Sequence, residues 1–325
     1  MRVLVVHSDV GANPPPDELD TLTTADAIAA ALRTAGHDVA LAAFAASPDK
    51  IRKLVETSRA EIIFNMVESV FGKDSLASMA PSIFEGLSVP YTGSAASPIA
   101  LTGDKPLAKR VLRAASLPTP DWCEPPAWDD LDEARLYIVK SATEDASLGL
   151  DDNALVRGKA ALVARLRHSQ KRHGGRWFAE AYVEGREFNV ALLEVEGRMR
   201  ALPVPEMRFE DWPAEKPRIV GYRAKWDDGS DDAVKTVRAF GLEEHSLALA
   251  QALTELALDA SRLFGMSGYA RVDFRVDGEG RPTILEINPN PCLDPKAGFA
   301  AASVEGGFSY EAMIGSILAA AKGCD

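Results

Sequence analysis

The stretch that decides the fold runs Ala270-Arg-Val-Asp-Phe-Arg-Val-Asp277, turns at Gly278-Glu279-Gly280, and continues Thr283-Ile-Leu-Glu-Ile-Asn-Pro-Asn-Pro291. Arg271, Asp273 and Arg275 alternate with apolar Val272, Phe274 and Val276, the period of a strand with one face buried. Beyond the glycine-rich turn, Ile284, Glu286 and Asn288 are expected on one face of a second strand, with Leu285 and Ile287 on the other. If the two strands pair, Asp273, Glu286 and Asn288 converge on one patch. Two carboxylates and an amide oxygen suit an oxygen-loving divalent cation: Mg2+, or Mn2+ on the same donors. Arg271 would stand beside them as a fixed positive charge. A solvated surface hairpin is the plain alternative for any one of these side chains. The set of four, stopped abruptly by Pro289 and Pro291, favours a metal–nucleotide site.

Working outward, 325 residues exceed what one simple core organises, so two or three subdomains are expected. The 48 acidic residues outnumber the 36 basic ones, for a net charge of −12. That balance argues against nucleic-acid binding, which needs phosphate-neutralising Lys and Arg. The apolar run Val3–Val6 is too short for a secretory leader, and no run reaches membrane-spanning length. Cys123, Cys292 and Cys324 are few, odd in number and without metal-ligand spacing, as in a reducing cytoplasm. A cytoplasmic protein is the expectation. Cys292 reads as a packing residue more than as a nucleophile.

From the N-terminus, Met1–Val6, Val39–Ala42, Glu61–Asn65 and Val89–Thr92 read as strands. Thr24–Ala35, Pro48–Ser58 and Ser75–Glu85 read as helices between them. This alternation predicts a small, mostly parallel, doubly wound sheet. Its ligands would lie off the carboxyl ends of the strands, near Ser8-Asp9 and Asn65–Glu68. No glycine fingerprint for a dinucleotide follows either strand, which sets an oxidoreductase aside. A second segment from Ser97 carries Asp104-Lys105 and Lys109 on a helix, a strand Tyr137–Lys140, and the small-residue tip Ser141–Gly149. A helix Asn153–Arg167 follows, with a basic, solvated tail to Arg172, then a strand Trp177–Val183 containing Glu180, and Glu187 just after Gly185. The third segment has strands at Phe188–Glu194, Met199–Pro203 and Arg218–Tyr222. Glu206–Pro217 between them and Tyr222–Asp232 after them read as long loops, which in compact domains are commonly functional lids or disordered. Helices His245–Phe264 and Tyr310–Ala321 flank the opening hairpin. The division expected is 1–96, 97–185 and 186–325.

In this order and spacing, Leu87–Ser94, Asp104-Lys105, Val139-Lys140, Gly185–Phe188, Ala224-Lys225, Arg271–Phe274 and Leu285–Asn288 resemble the ATP-grasp ligases, and within them the D-alanine–D-alanine ligase family. The resemblance covers nearly the whole chain. It implies an α/β (α+β) ATP-grasp fold with the doubly wound domain at its N-terminus. It also implies an enzyme that phosphorylates a carboxylate with ATP and Mg2+ and lets an amine displace the phosphate, leaving an amide. Lys105, Lys140 and Lys225 match the family's phosphate-contacting lysines, and the tip around Ser147 would close over the phosphates. Glu180, the backbone of Ala181 and Val183, and Glu187 match positions that hold adenine and ribose. Asp273, Glu286 and Asn288 match the Mg2+ ligands, and Arg271 matches the arginine that stabilises the tetrahedral adduct. Small-molecule amino acids or peptides would be the substrates, and a homodimer would be in keeping with the family.

The departures fall on the substrate side. After the first strand the family carries Gly-Gly-x-Ser-x-Glu; here the loop reads His7-Ser8-Asp9-Val10-Gly11-Ala12-Asn13. Val67-Glu68 replaces His-Gly, Ala146 replaces the tip serine, Trp226 replaces the lid tyrosine, and Cys292-Leu293-Asp294 with Ala297-Gly298 replaces the segment gripping the second carboxylate. Substrates other than two D-alanines are therefore expected. Glu68 is the first candidate for holding a substrate amine, with Asp9 or Glu18 as weaker ones. A D-alanine–D-alanine ligase with an unusual pocket and a non-catalytic ATP-binding regulator are the other readings.

Overall fold

The computed structural model describes residues 1–11, 16–126, 131–227 and 229–321, the side chains of residues 16–18 excepted. Ala12, Asn13, the side chains of Asp17 and Glu18, and Cys324 lie outside the described residues. The first sheet is parallel, in the order β2-β1-β3: β1 (Arg2–His7), β2 (Asp38–Ala43) and β3 (Ile62–Met66). Helices α1 (Pro16–Thr34), α2 (Pro48–Ser58) and α3 (Met79–Gly86) connect and cover it. Alternate residues of β1 go opposite ways. Val3 and Val5 pack on Ile28 and Leu32 of α1 and on Met313 and Ile317 near the C-terminus. Leu4 and Val6 pack on Ile51 of α2 and Phe84 of α3. Fully burying each such side chain contributes about 1.5–3 kcal/mol, which holds helices to both faces. The doubly wound arrangement stands, though α1 begins at Pro16, well ahead of the expected Thr24. Val89–Thr92 is not a strand; Tyr91 alone bridges Ile63.

The middle of the chain has α4 (Ala96–Thr102), α5 (Lys105–Ala114), β4 (Trp122–Cys123), β5 (Leu136–Ser141), β6 (Leu155–Arg157), α6 (Lys159–His173) and β7 (Trp177–Ala181). The start of α5 is set by Asp104, whose carboxylate accepts from the Leu107 amide at 3.0 Å. The strands form an antiparallel sheet, β4-β7-β5-β6. The expected helix from Asn153 is corrected: Leu155–Arg157 pairs with β5, and Gly158, at φ 80°, turns the chain before α6 begins. Nor is the basic stretch of α6 wholly solvated, since Arg165 reaches back to the Gly149 carbonyl at 2.8 Å.

The remainder is β8 (Arg186–Val195), β9 (Arg198–Ala201), β10 (Glu206–Phe209), α7 (Tyr222–Trp226), α8 (Asp231–Lys235), β11 (Thr236–Ala239), α9 (Leu242–His245), α10 (Leu247–Phe264), β12 (Tyr269–Val276), β13 (Pro282–Asn288), α11 (Gly298–Glu305) and α12 (Tyr310–Ala319). The larger sheet runs β11-β10-β8-β12-β13, with β9 beside β8. Three expectations fail here. Arg218–Tyr222 is not a strand, the loop after Glu206 begins as β10, and the loop from Tyr222 contains two short helices. The apolar side of this sheet packs on Leu253, Ala257 and Phe264 of α10. Among the described residues no helix is long and apolar enough to cross a membrane.

Candidate active site

The two antiparallel sheets and the carboxyl ends of β1 and β3 enclose one cleft of about 930 Å³. At its centre stands the hairpin read first from the sequence. The register sets Asp273 directly opposite Glu286 and Arg271 opposite Asn288, as strand pairing requires for convergence. A bulge between Asp273 and Phe274 then sets Phe274 against Ile284. The extra residue reverses the alternation, so Ile284 joins Ile287 in the core; its expected place on the face of Glu286 is corrected.

Most oxygens in this corner face a donor of the protein. Arg271 donates from Nε and Nη2 to the two Asp273 oxygens at 2.8 and 2.9 Å, and Asn189 Nδ2 adds a third bond at 2.8 Å. Lys105 Nζ lies 2.5 Å from Asp145 Oδ1 and 3.3 Å from Glu286 Oε1. Asn288 Oδ1 accepts from the Asn290 amide at 2.9 Å. Burial works against ionised Glu286, yet Lys105, the Asp145 hydrogen bond and Lys225 hold it well below the usual carboxylate range. Desolvation at the cleft wall and the Glu286 charge push Asp145 above the usual carboxylate range, against the pull of Lys105, so of the two Asp145 takes the proton first. Burial disfavours the Arg271 charge, and Asp273 more than restores it. Among the described residues no group of three Asp, Glu, His or Cys side chains is placed to hold a metal ion by itself. A cation here would therefore meet two carboxylates and an amide oxygen, completing its shell with water or phosphate, and this donor set fits Mg2+ or Mn2+.

At the inner end Lys140 and Glu180 project from neighbouring strands, Nζ to Oε1 at 2.6 Å. The other Glu180 oxygen is 2.5 Å from Lys109 Nζ, and both of these side chains are only 2% exposed. Burial opposes the Glu180 charge, but the two ammonium groups keep its pKa below the ordinary value. Lys109 was not anticipated as a site residue. On a helix its lysine reads as solvated, and only the fold turns it onto Glu180. Glu187 lies opposite Arg275 at 3.1 Å, and Arg275 is itself bound to the Gly185 and Arg218 carbonyls. Val183 lines the cleft. Ala181 does not: its side chain packs with Tyr137 and Cys123, and its amide donates to the Asp121 carbonyl at 2.8 Å.

The tip of residues 141–149 meets the α7 segment across the opening. Trp226 Nε1 donates to the Ala146 carbonyl at 3.2 Å, Ser147 Oγ to the Val220 carbonyl at 3.0 Å, and the Tyr222 amide to the Leu150 carbonyl at 3.2 Å. Ala146 and Ser147 have positive φ, 54° and 60°, a strained turn held by these contacts. Lys225, between two of the contacts, lines the cleft. The indole thus joins α7 to the tip through a backbone carbonyl.

The outer end is acidic. Ser8 Oγ accepts from the Glu68 and Ser69 amides, both at 3.0 Å, and fixes the loop that carries Glu68. Glu68 is exposed to the cleft, and partial desolvation there together with the charges of Asp74, Asp20 and Asp145 pushes its carboxyl up to about 8. Asp74 is likewise raised to about 7, chiefly by burial. Asp20, from α1, lines the cleft where Asp9 does not; Glu18 lies outside the described residues. Burial raises the Cys292 thiol, which donates to Asp20 Oδ2 at 3.2 Å, so it is no ready nucleophile.

The model of the family described as "D-ala D-ala ligase C-terminus" matches residues 134–319. A D-alanine–D-alanine ligase of Laribacter hongkongensis is 34% identical over 270 residues, 80% of this chain and 78% of that one. The chain belongs to the D-alanine–D-alanine ligase family. It is an ATP-grasp ligase, an enzyme that forms C–N bonds. An uncharacterized protein of Sinorhizobium fredii, y4sG, is 29% identical over 94% of the ligase described here and 89% of its own length. The crystal structure of the Bacillus anthracis D-alanine–D-alanine ligase complexed with ATP superposes with a TM-score of 0.75, covering 98% of this ligase and 97% of that chain at 19% identity. The Coxiella burnetii enzyme gives 0.71 over 99% and 95%, also at 19%. These likenesses carry the fold.

Proposed function

We propose that this ligase joins a carboxylate to an amine at the expense of ATP, with Mg2+, and that its substrate pair is not two D-alanines. Lys105, Lys140, Lys225 and Arg271 are the cations available to a triphosphate, and phosphoryl transfer depends on such positioned charge more than on a covalent catalyst. Asp273, Glu286 and Asn288 would hold the metal, which supplies charge neutralisation between phosphates. Glu180, held ionised by Lys109 and Lys140, offers the adenine a rigid wall. Glu187 and the Val183 backbone border the same place. The latch from Trp226 to Ala146 excludes water, which preserves an activated carboxylate until an amine arrives. Arg271 stabilises charge as the amine adds. The single observation that carries the altered specificity is the acidic outer end, where Glu68 stands with Asp20 and Asp74. A small apolar amino acid has no use for three carboxylates, whereas a substrate with an additional ammonium group does.

A second reading is favoured by the Laribacter enzyme's name and identity: a D-alanine–D-alanine ligase with an unusual pocket. Trapping with hydroxylamine decides between them. ATP, Mg2+, hydroxylamine and one amino acid at a time yield a hydroxamate only from the carboxylate that is activated. The reading expects a hydroxamate from an amino acid other than D-alanine, absent in Glu286→Gln. A hydroxamate from D-alanine alone would overturn it.

A further inference from the structure

Most charged groups of the cleft wall are opposed by a partner, which makes Arg238 conspicuous. It projects from β11 into the cleft, and among the described residues its guanidinium has neither a hydrogen-bond acceptor nor a carboxylate partner. Burial and the neighbouring Arg271 both act against its charge. Arg271 is already neutralised by Asp273, so this corner holds one guanidinium too many for the protein's own anions. Thr236, two residues earlier on the same strand, also lines the cleft, and its hydroxyl has no partner. Arg238 is placed by the start of α11. Its Nη2 lies 3.4 Å from where a Cβ on Gly298 would stand, and Nε 3.6 Å, so the guanidinium rests against the first residue of the helix. The N-cap of α11, Ala297, contributes no side-chain hydrogen bond. The first amides of that helix have no intrahelical acceptor of their own and lie at the helix end against which the guanidinium rests. An unopposed guanidinium offers a planar fork of donors matched to a carboxylate.

Resting on the ligase reading above, we infer that Arg238 is a specificity-determining residue that binds the carboxylate of the amine-bearing substrate, making the enzyme select an acid over its amide. This assigns to β11 a charged contact that the side chains at Ala297-Gly298 cannot make. The site lies away from Lys140 and Glu180 and beside Arg271, where an attacking amine must arrive. A neutral helix end would discriminate poorly between a carboxylate and a carboxamide of the same shape. A full guanidinium charge, poorly hydrated, discriminates strongly.

The test uses the full-length protein with ADP and Mg2+. It is titrated calorimetrically with alanine, serine and glutamate of both hands and with the matching α-carboxamides. The wild type is expected to bind at least one acid about 10-fold or more tightly than its amide. Arg238→Gln should bring that ratio to near one, and Arg238→Lys should keep part of it. Because Arg238 has no partner to lose, the glutamine variant should melt no lower than the wild type. ADP titrated alone reports separately on the nucleotide reading. Retention of the acid preference in Arg238→Gln, or equal binding of every acid and its amide by the wild type, would overturn the assignment.

Discussion

Replacing Lys109 by methionine tests the inner end of the cleft most sharply. The change preserves the aliphatic stem and removes one of two ammonium groups from Glu180. Lys109 and Glu180 are each 2% exposed and 2.5 Å apart, so the remaining carboxylate cannot turn to water. Breaking such a buried pair costs about 3–5 kcal/mol. Lys140 stays 2.6 Å from the other oxygen, which places the expected loss at the low end, about 3 kcal/mol, or about a hundredfold in the folding equilibrium. Thr119, which accepts from Lys109 at 2.9 Å and donates to the Ile284 carbonyl, loses a partner as well, adding up to about 1 kcal/mol. The pH dependence has a definite sign. Because the folded pKa of Glu180 is lowered, its contribution is complete above the ordinary glutamate pKa and is lost as the pH falls through the folded value. Wild type and variant should therefore converge in acid. Urea unfolding of Lys109→Met, Glu180→Gln and the double variant at pH 7 supplies the assay, with a coupling energy of about 1–3 kcal/mol expected. A single-variant loss below about 1 kcal/mol, or strict additivity, would refute the reasoning.

Two further outcomes can be stated briefly. Trp226→Phe keeps an aromatic ring and removes only the bond to the Ala146 carbonyl. At about 1 kcal/mol the latch should open roughly 5-fold more often, read as phosphate release without amide product; unchanged coupling would leave the latch without a role. For Glu68, the folded pKa is raised, so the carboxylate opposes folding increasingly as pH climbs from the ordinary glutamate value to about 8. Glu68→Gln should therefore raise the melting temperature more at pH 8 than at pH 5, and the reverse ordering would contradict the acidic cluster.

The hairpin was legible because its chemistry and its period coincide. Charged residues alternate with Val272, Phe274 and Val276, and a glycine turn separates the strands. Helix α2 was legible from Pro48 at its first turn followed by Asp49. The bulge beside Asp273 was not, since one inserted residue leaves no mark on composition while moving Ile284 to the face opposite Glu286. β6, β10 and β11 are three or four residues long and half-exposed, too short for periodicity to register. Most expected site residues do line the cleft, because the ordered motifs carry them. Asp20, Lys109 and Arg238 were missed for a common physical reason. Each sits on an element whose local pattern reads as solvent-facing, and only distant strands turn that face inward.

The central claim is met most directly by phosphate release from ATP and Mg2+ across single and paired D- and L-amino acids, with Glu286→Gln as control. The account predicts little release with D-alanine alone, and release with another acid–amine pair that the control abolishes. Rapid release with D-alanine alone, abolished in Glu286→Gln, would contradict it and make the chain a D-alanine–D-alanine ligase.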